Sequence, residues 1–167
     1  SLALAEQGAL LALVDMDGEE LQQVAGEIEQ IAGREAVVPL GADVSDPDSG
    51  TTAIHYAAEN FGRVDALFNN AAIGPQAVAE DPYGSPPKFW ELNPYTFVRM
   101  LDVNSAGPQI MAAAAVPYML KNGWGRIVNI SSSSMVSSMS GAQHAQSTSA
   151  ASAAKSSIVL INNHNTN

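Results

Sequence analysis

The residues of this chain that can do chemistry gather where short apolar runs end. Gly125-Arg126-Ile127-Val128-Asn129-Ile130-Ser131-Ser132 opens with a turn, continues as strand formers and passes into serines. The hydroxyls of Ser131, Ser132 and Ser138 can hold an oxygen of a bound molecule. Lys155 lies in Ala151-Ser152-Ala153-Ala154-Lys155-Ser156-Ser157-Ile158-Val159, which reads as the start of a helix rich in small residues. Asp15 directly follows the apolar run 9–14, and Asp43-Val44 follows the run 36–40. Asn69-Asn70-Ala71-Ala72 follows the run 65–68, and Asn104 stands in Leu101-Asp102-Val103-Asn104-Ser105-Ala106-Gly107. Carboxylates at such places accept hydrogen bonds from hydroxyls, and asparagine amides both donate and accept.

The elements that must position these groups alternate regularly. Residues 1–7 read as a helix tail stopped by Gly8, and 9–14 as a buried strand. Leu21, Val24, Ala25, Ile28 and Ile31 form one face of an amphipathic helix over 19–32, ended by Gly33. A second strand covers 36–40. Ser45 or Asp46 can cap a helix over 47–61, and a third strand covers 65–68. Residues 73–94, with five prolines, read as an irregular loop. A long helix is expected over 95–120, kinked at Pro108 and Pro117. The run 127–130 then suits a strand buried on both faces, and the polar tail 162–167 is expected to fray. This order implies a doubly wound α/β fold, a parallel sheet with helices on both faces, in a single domain over 1–167. In such sheets ligands bind beyond the carboxyl ends of the strands, where the residues named above fall.

Composition excludes several classes. The formal charge of −10 opposes phosphate backbones, so nucleic acid and anionic membranes are poor partners. With no cysteine there is neither a disulfide nor a thiolate metal site, in keeping with a cytoplasmic setting. No apolar run reaches the length of a membrane span, and the opening residues lack the basic region of a signal peptide. Gly-x-Ser-x-Gly is absent, which speaks against a serine hydrolase.

The strand ending in serine followed by Lys155, together with Asn69-Asn70-Ala71-Ala72 and the segment around Asn104, resembles the short-chain dehydrogenase/reductase family over nearly all of residues 1–159. The resemblance implies an oxidoreductase that moves a hydride between a nicotinamide and a secondary alcohol or ketone. It implies that Asp15 binds the adenosine ribose and, by repelling a 2′-phosphate, selects NAD over NADP, with Met16 beside it. Asp43 and Val44 would meet the adenine. Asn70, Ala71, Ala72 and Ile130 would border the cofactor, the first Asn of that motif tying neighbouring strand ends together. Lys155 would bind the nicotinamide ribose, Asn104 would hold a relay water, and Ser132 would hold the substrate oxygen, with Ser131 and Ser138 as rivals. A homo-dimer or homo-tetramer acting on a small molecule is implied as well.

Two departures govern what to expect. The family places a tyrosine four residues before its lysine, and this chain has Ala151 there; His144 is a poor substitute base. The chain also lacks the family's opening strand with its Thr-Gly-x-x-x-Gly-x-Gly turn, and the segments after the catalytic helix. The first strand of that fold is central, between 10–14 and 65–68, so unpaired backbone groups are expected in mid-sheet. Hence an incomplete version of a longer enzyme is expected, nearly inactive as written, or else a non-catalytic dinucleotide-binding or scaffold remnant.

Overall fold

The computed structural model describes residues 1–131 and the backbone of a strand over 158–163. The sheet is organised by β1 (Ala9–Asp15), in which Leu11, Ala12, Leu13 and Val14 are all buried. Such a continuous apolar run has no solvent face, so both sides of the strand must be covered. Leu11 and Leu13 pack with Leu21, Ala25 and Ile28 of α2 (Gly18–Ala32) and with Ala5 of the short α1 (Leu2–Ala5). Ala12 and Val14 face the other way, towards α3 (Pro47–Phe61) and α5 (Gly107–Lys121), through Ala53, Ile54, Met111 and Ala115. Full burial of one such leucine stabilises the fold by about 1.5–3 kcal/mol, so two layers of them define a doubly covered sheet.

The remaining strands are β2 (Val37–Gly41), β3 (Ala66–Asn69), β4 (Arg126–Asn129) and β5 (Ile158–Asn163), in the spatial order β2-β1-β5-β3-β4. β1 and β2 are parallel, as are β3 and β4. β5 is antiparallel to both neighbours: Ile161 pairs with Leu11 on one side and Ala66 on the other, and Leu160 with Ala12 and Leu67.

This corrects the sequence reading at both of its weakest places. Ile158 and Val159 belong to a strand rather than to the helix expected over 151–159, and Asn162 and Asn163 continue that strand rather than fray. The physical reason is the gap between β1 and β3. The facing backbone groups of two buried strands need partners, and the β-formers Ile158-Val159-Leu160-Ile161 supply them. The sheet is accordingly mixed, and the mid-sheet backbone that the sequence left unpaired is paired.

The helix expected over 95–120 is present, with its hydrogen-bond pattern interrupted midway while the backbone stays right-handed helical. α4 (Pro94–Leu101) is joined to α5 by a π turn over Asp102–Ala106. Pro108, which has no N–H to donate, stands just after the π turn, and Pro117 lies inside α5. Gly107 sets how closely α5 approaches the end of β2, since a Cβ there would lie 2.9 Å from Val44 Cγ2. β4 departs from the fully buried strand expected at 127–130. Among the described residues it is the last strand of the sheet, and Ile127 and Ile130 are exposed.

Candidate functional site

β1, β2 and β3 all end on one side of the sheet, and a shallow cavity of about 130 Å³ opens there. Its walls come from Val14, Asp15 and Met16, from Ala42, Asp43 and Val44, from Ala71 and Ile73, and from Arg99 and Val103. The volume is below the roughly 300–1,000 Å³ of sites that enclose a whole ligand, so it suits one end of a larger molecule.

Asp15 terminates β1, and its Oδ1 accepts from the Asp17 N–H at 2.9 Å. Asp17 in turn caps α2, accepting from the N–H groups of Glu19 (3.1 Å) and Glu20 (3.0 Å). The positive end of α2 is thus already met by three acidic side chains, which leaves it hostile to a further anion. Burial pushes the Asp15 carboxyl above the usual carboxylate range. The N–H groups of Asp17 and Met16 oppose this, while the charges of Glu20 and Asp17 add to it.

Asp43 is tied down on both oxygens. Oδ1 accepts from the Ser45 N–H (3.0 Å) and hydroxyl (2.7 Å), and Oδ2 from Arg99 Nη2 (2.7 Å). Burial alone would raise this carboxyl, but the Ser45 and Arg99 hydrogen bonds outweigh it and hold the pKa below the usual range. Arg99 also donates through Nη1 to Ser45 Oγ and reaches Met16 Sδ at 3.5 Å.

Two asparagines hold the neighbouring strand ends. Asn69, the buried last residue of β3, donates through Nδ2 to Asn129 Oδ1 of β4 at 2.8 Å. Asn104, in the π turn, accepts from the Ile73 N–H at 2.8 Å and donates to the Ile73 carbonyl at 3.0 Å. Single π turns inside helices often mark functional sites, and this one anchors the strand-3 loop beside the pocket.

The structure therefore gathers Asp15, Met16, Asp43, Val44 and Ala71 around one cavity. Asn70 is half-buried and Ala72 exposed in the adjoining loop, and neither lines it. Ile130 lies past the end of β4, where its N–H donates to the Asn69 carbonyl. Ser131 is exposed. Ser132, Ser138, His144, Ala151 and Lys155 lie outside the described residues. Sequence reasoning missed Arg99, Ile73 and Val103. Arg99 carried one signal, being the sole basic residue between Lys88 and Lys121, but its partner Asp43 is 56 positions away. Among the described residues no cluster of three metal-ligating side chains exists, and no helix is long and apolar enough to cross a membrane.

The family model described as short chain dehydrogenase matches residues 1–163. The chain belongs to the short-chain dehydrogenase family. Relatives of this chain include the 2-dehydro-3-deoxy-L-rhamnonate dehydrogenase (NAD(+)) of Sphingomonas sp., 32% identical over 126 residues, which cover 75% of this chain and 45% of the relative. The D-threitol dehydrogenase of Mycolicibacterium smegmatis is 34% identical over 131 residues, 78% of this chain and 45% of that one. The crystal structure of NAD+-bound xylitol dehydrogenase matches with a TM-score of 0.70 at 26% identity, over 84% of this chain and 49% of that one. The chain spans about half the length of the curated relatives it matches.

Proposed function

We propose that this chain carries the adenosine half of the cofactor site of an NAD-dependent dehydrogenase acting on a secondary alcohol or ketone. The observation that carries this reading is Asp15, a carboxylate at the carboxyl end of β1 on the wall of the cavity. The donor set fits that end of the cofactor. Asp15 offers an acceptor to a ribose diol, while Val14, Val44, Ala71 and Val103 supply apolar walls for a base. Asp17, Glu19 and Glu20 beside it favour the unphosphorylated ribose, hence NAD over NADP. No second basic side chain lines the cavity to offset them among the described residues.

When bound, the nicotinamide supplies the hydride acceptor or donor. The chain's own residues would do the rest. Met16, Asp43, Asn70, Ala72 and Ile130 border the cofactor, Lys155 binds its second ribose, Ser132 holds the substrate oxygen, and Asn104 contributes to a proton relay. Ala151 offers no proton, so turnover of the chain as written is nearly nil. That residue favours a second reading, a dinucleotide-binding module without catalysis. The enzyme reading also carries a cytoplasmic homo-dimer or homo-tetramer with a small-molecule substrate.

Calorimetric titration with NAD and with NADP tests the site. NAD should bind about tenfold more tightly or better, the scale of one charge-assisted hydrogen bond exchanged for a charge repulsion. Equal or tighter binding of NADP, or no binding of either, would overturn the reading.

A further inference from the structure

Arg99 is the one cation among the described residues lining the cavity, and nothing in the family motifs of this chain assigned it a role. It stands in the last turn of α4, and its guanidinium bridges two separate segments around the cavity. These are Asp43 and Ser45 from the loop after β2, and Met16 from the end of β1. Its two Nη groups spend their hydrogen bonds on the Asp43 carboxylate and the Ser45 hydroxyl. Such bonds lie in the plane of the guanidinium, so they fix its edge and leave its faces without hydrogen bonds. With 37% of the side chain exposed, that planar cation is accessible from the cavity.

Arginine faces stack on aromatic rings, and a guanidinium whose charge is partly neutralised by a carboxylate carries little hydration to strip. We infer that Arg99 is a specificity-determining residue, a platform on which a purine base stacks, held flat by Asp43 and Ser45. Both Asp43 oxygens already accept hydrogen bonds, so Asp43 acts as a positioning residue through Arg99 rather than by reading the base itself. The inference rests on the reading of this cavity as the adenosine end of an NAD site, and it adds the element that recognises the base.

The test titrates the chain with ADP and with nicotinamide mononucleotide, for the parent, Arg99→Lys and Arg99→Met. Lysine keeps the charge and can keep the pair with Asp43 but has no planar face; methionine keeps the length alone. Both variants should bind ADP about tenfold more weakly, the size of a partly desolvated cation–π contact. Their affinity for the mononucleotide, which has no purine, should be unchanged. Arg99→Lys should also keep the melting temperature of the free chain, which a merely structural role would not allow alongside lost affinity. Should Arg99→Met fail to fold, Arg99→Lys carries the comparison. Parent-like ADP binding by Arg99→Lys overturns this inference while leaving the NAD site standing. Failure of the parent chain to bind ADP at all overturns the NAD reading, and this inference with it.

Discussion

Asn104 and Ile73 are joined by two hydrogen bonds, the Asn104 side chain pairing with both backbone groups of Ile73 as a neighbouring strand would. The pairing fixes the loop after β3 to the π turn, and Ile73 and Val103 on either side of it both line the cavity. One donor and one acceptor of Asn104 are thereby spent on structure. Asn104→Leu orphans both Ile73 groups and should destabilise the chain by about 2 kcal/mol, the usual scale for partly buried polar groups left without partners. Denaturant unfolding measures this, and NAD affinity should fall with it. A change below about 0.5 kcal/mol would show that the loop is held by other contacts.

The pairing of β5 makes a sharper prediction. Leu160 lies between Ala12 and Leu67, in a strand bonded on both sides. Proline has no N–H and is confined to sheet edges, so Leu160→Pro should abolish cooperative folding. Hydrogen exchange gives an independent check: the backbone amides of 159–161 should be protected as strongly as those of Leu11–Leu13. Rapid exchange at 159–161 would show that the gap between β1 and β3 is not filled in solution.

Local pattern made β1, α2 and α3 legible. The run 9–14 has no polar break, Asp17 and Asp46 are N-caps ahead of amphipathic stretches, and Pro47 sits where its missing donor is harmless. Asp15, Asp43 and Ala71 were legible as well, because strand ends converge on one side of a parallel sheet. What failed was non-local. Ile158 and Val159 follow a run of serines and alanines that suits a helix, and only the demand of β1 and β3 for partners turns them into a strand. Arg99 belongs to the same class. Its role depends on α4 folding back over the β2 end, which no spacing within 94–101 encodes. The exposure of β4 likewise goes with its place at the edge of the sheet among the described residues, not with the apolar composition of 127–130.

Asp15 should trade stability against binding. Its folded pKa is raised, so the folded state holds the proton more tightly than the unfolded chain. Ionisation at neutral pH therefore works against folding, and the penalty disappears as pH falls to the ordinary value of 3.8. Asp15→Asn cannot ionise but can still accept from the Asp17 N–H. The variant should melt slightly above the parent at pH 7 and equal it near pH 4. It should bind NAD about tenfold more weakly, having lost a charge-assisted hydrogen bond to the ribose. A variant with unchanged NAD affinity would remove Asp15 from the site.

Asp43 has the opposite sign. Its folded pKa is lowered, so its stabilising contribution is complete above the ordinary value of 3.8 and is lost as pH falls through the folded value. Asp43 and Arg99 side chains are 33% and 37% exposed, so solvent screens the pair and its worth is under about 1 kcal/mol. Melting curves from pH 7 down to pH 2 should show the parent more stable than Asp43→Asn at neutral pH, the two converging below pH 4. A difference that does not change with pH would mean that the Asn variant is disturbed by packing rather than by lost charge.

On the proposed reading, Ala151 limits catalysis. A positioned proton donor is worth about 10²–10⁴-fold in rate, and an alanine methyl supplies none. Ala151→Tyr, made in a version extended to the family's full length, should raise turnover of a secondary alcohol by that factor if Lys155 stands one helical turn further on. In the present chain the same substitution should do much less. The present chain lacks the family's Thr-Gly-x-x-x-Gly-x-Gly turn, so less of the cofactor site is there to make use of a proton donor. NADH formation followed by absorbance, with both versions assayed side by side, separates the possibilities. Equal gains would mean that turnover does not need that turn. No gain in the longer version would mean that position 151 is not where the proton donor belongs.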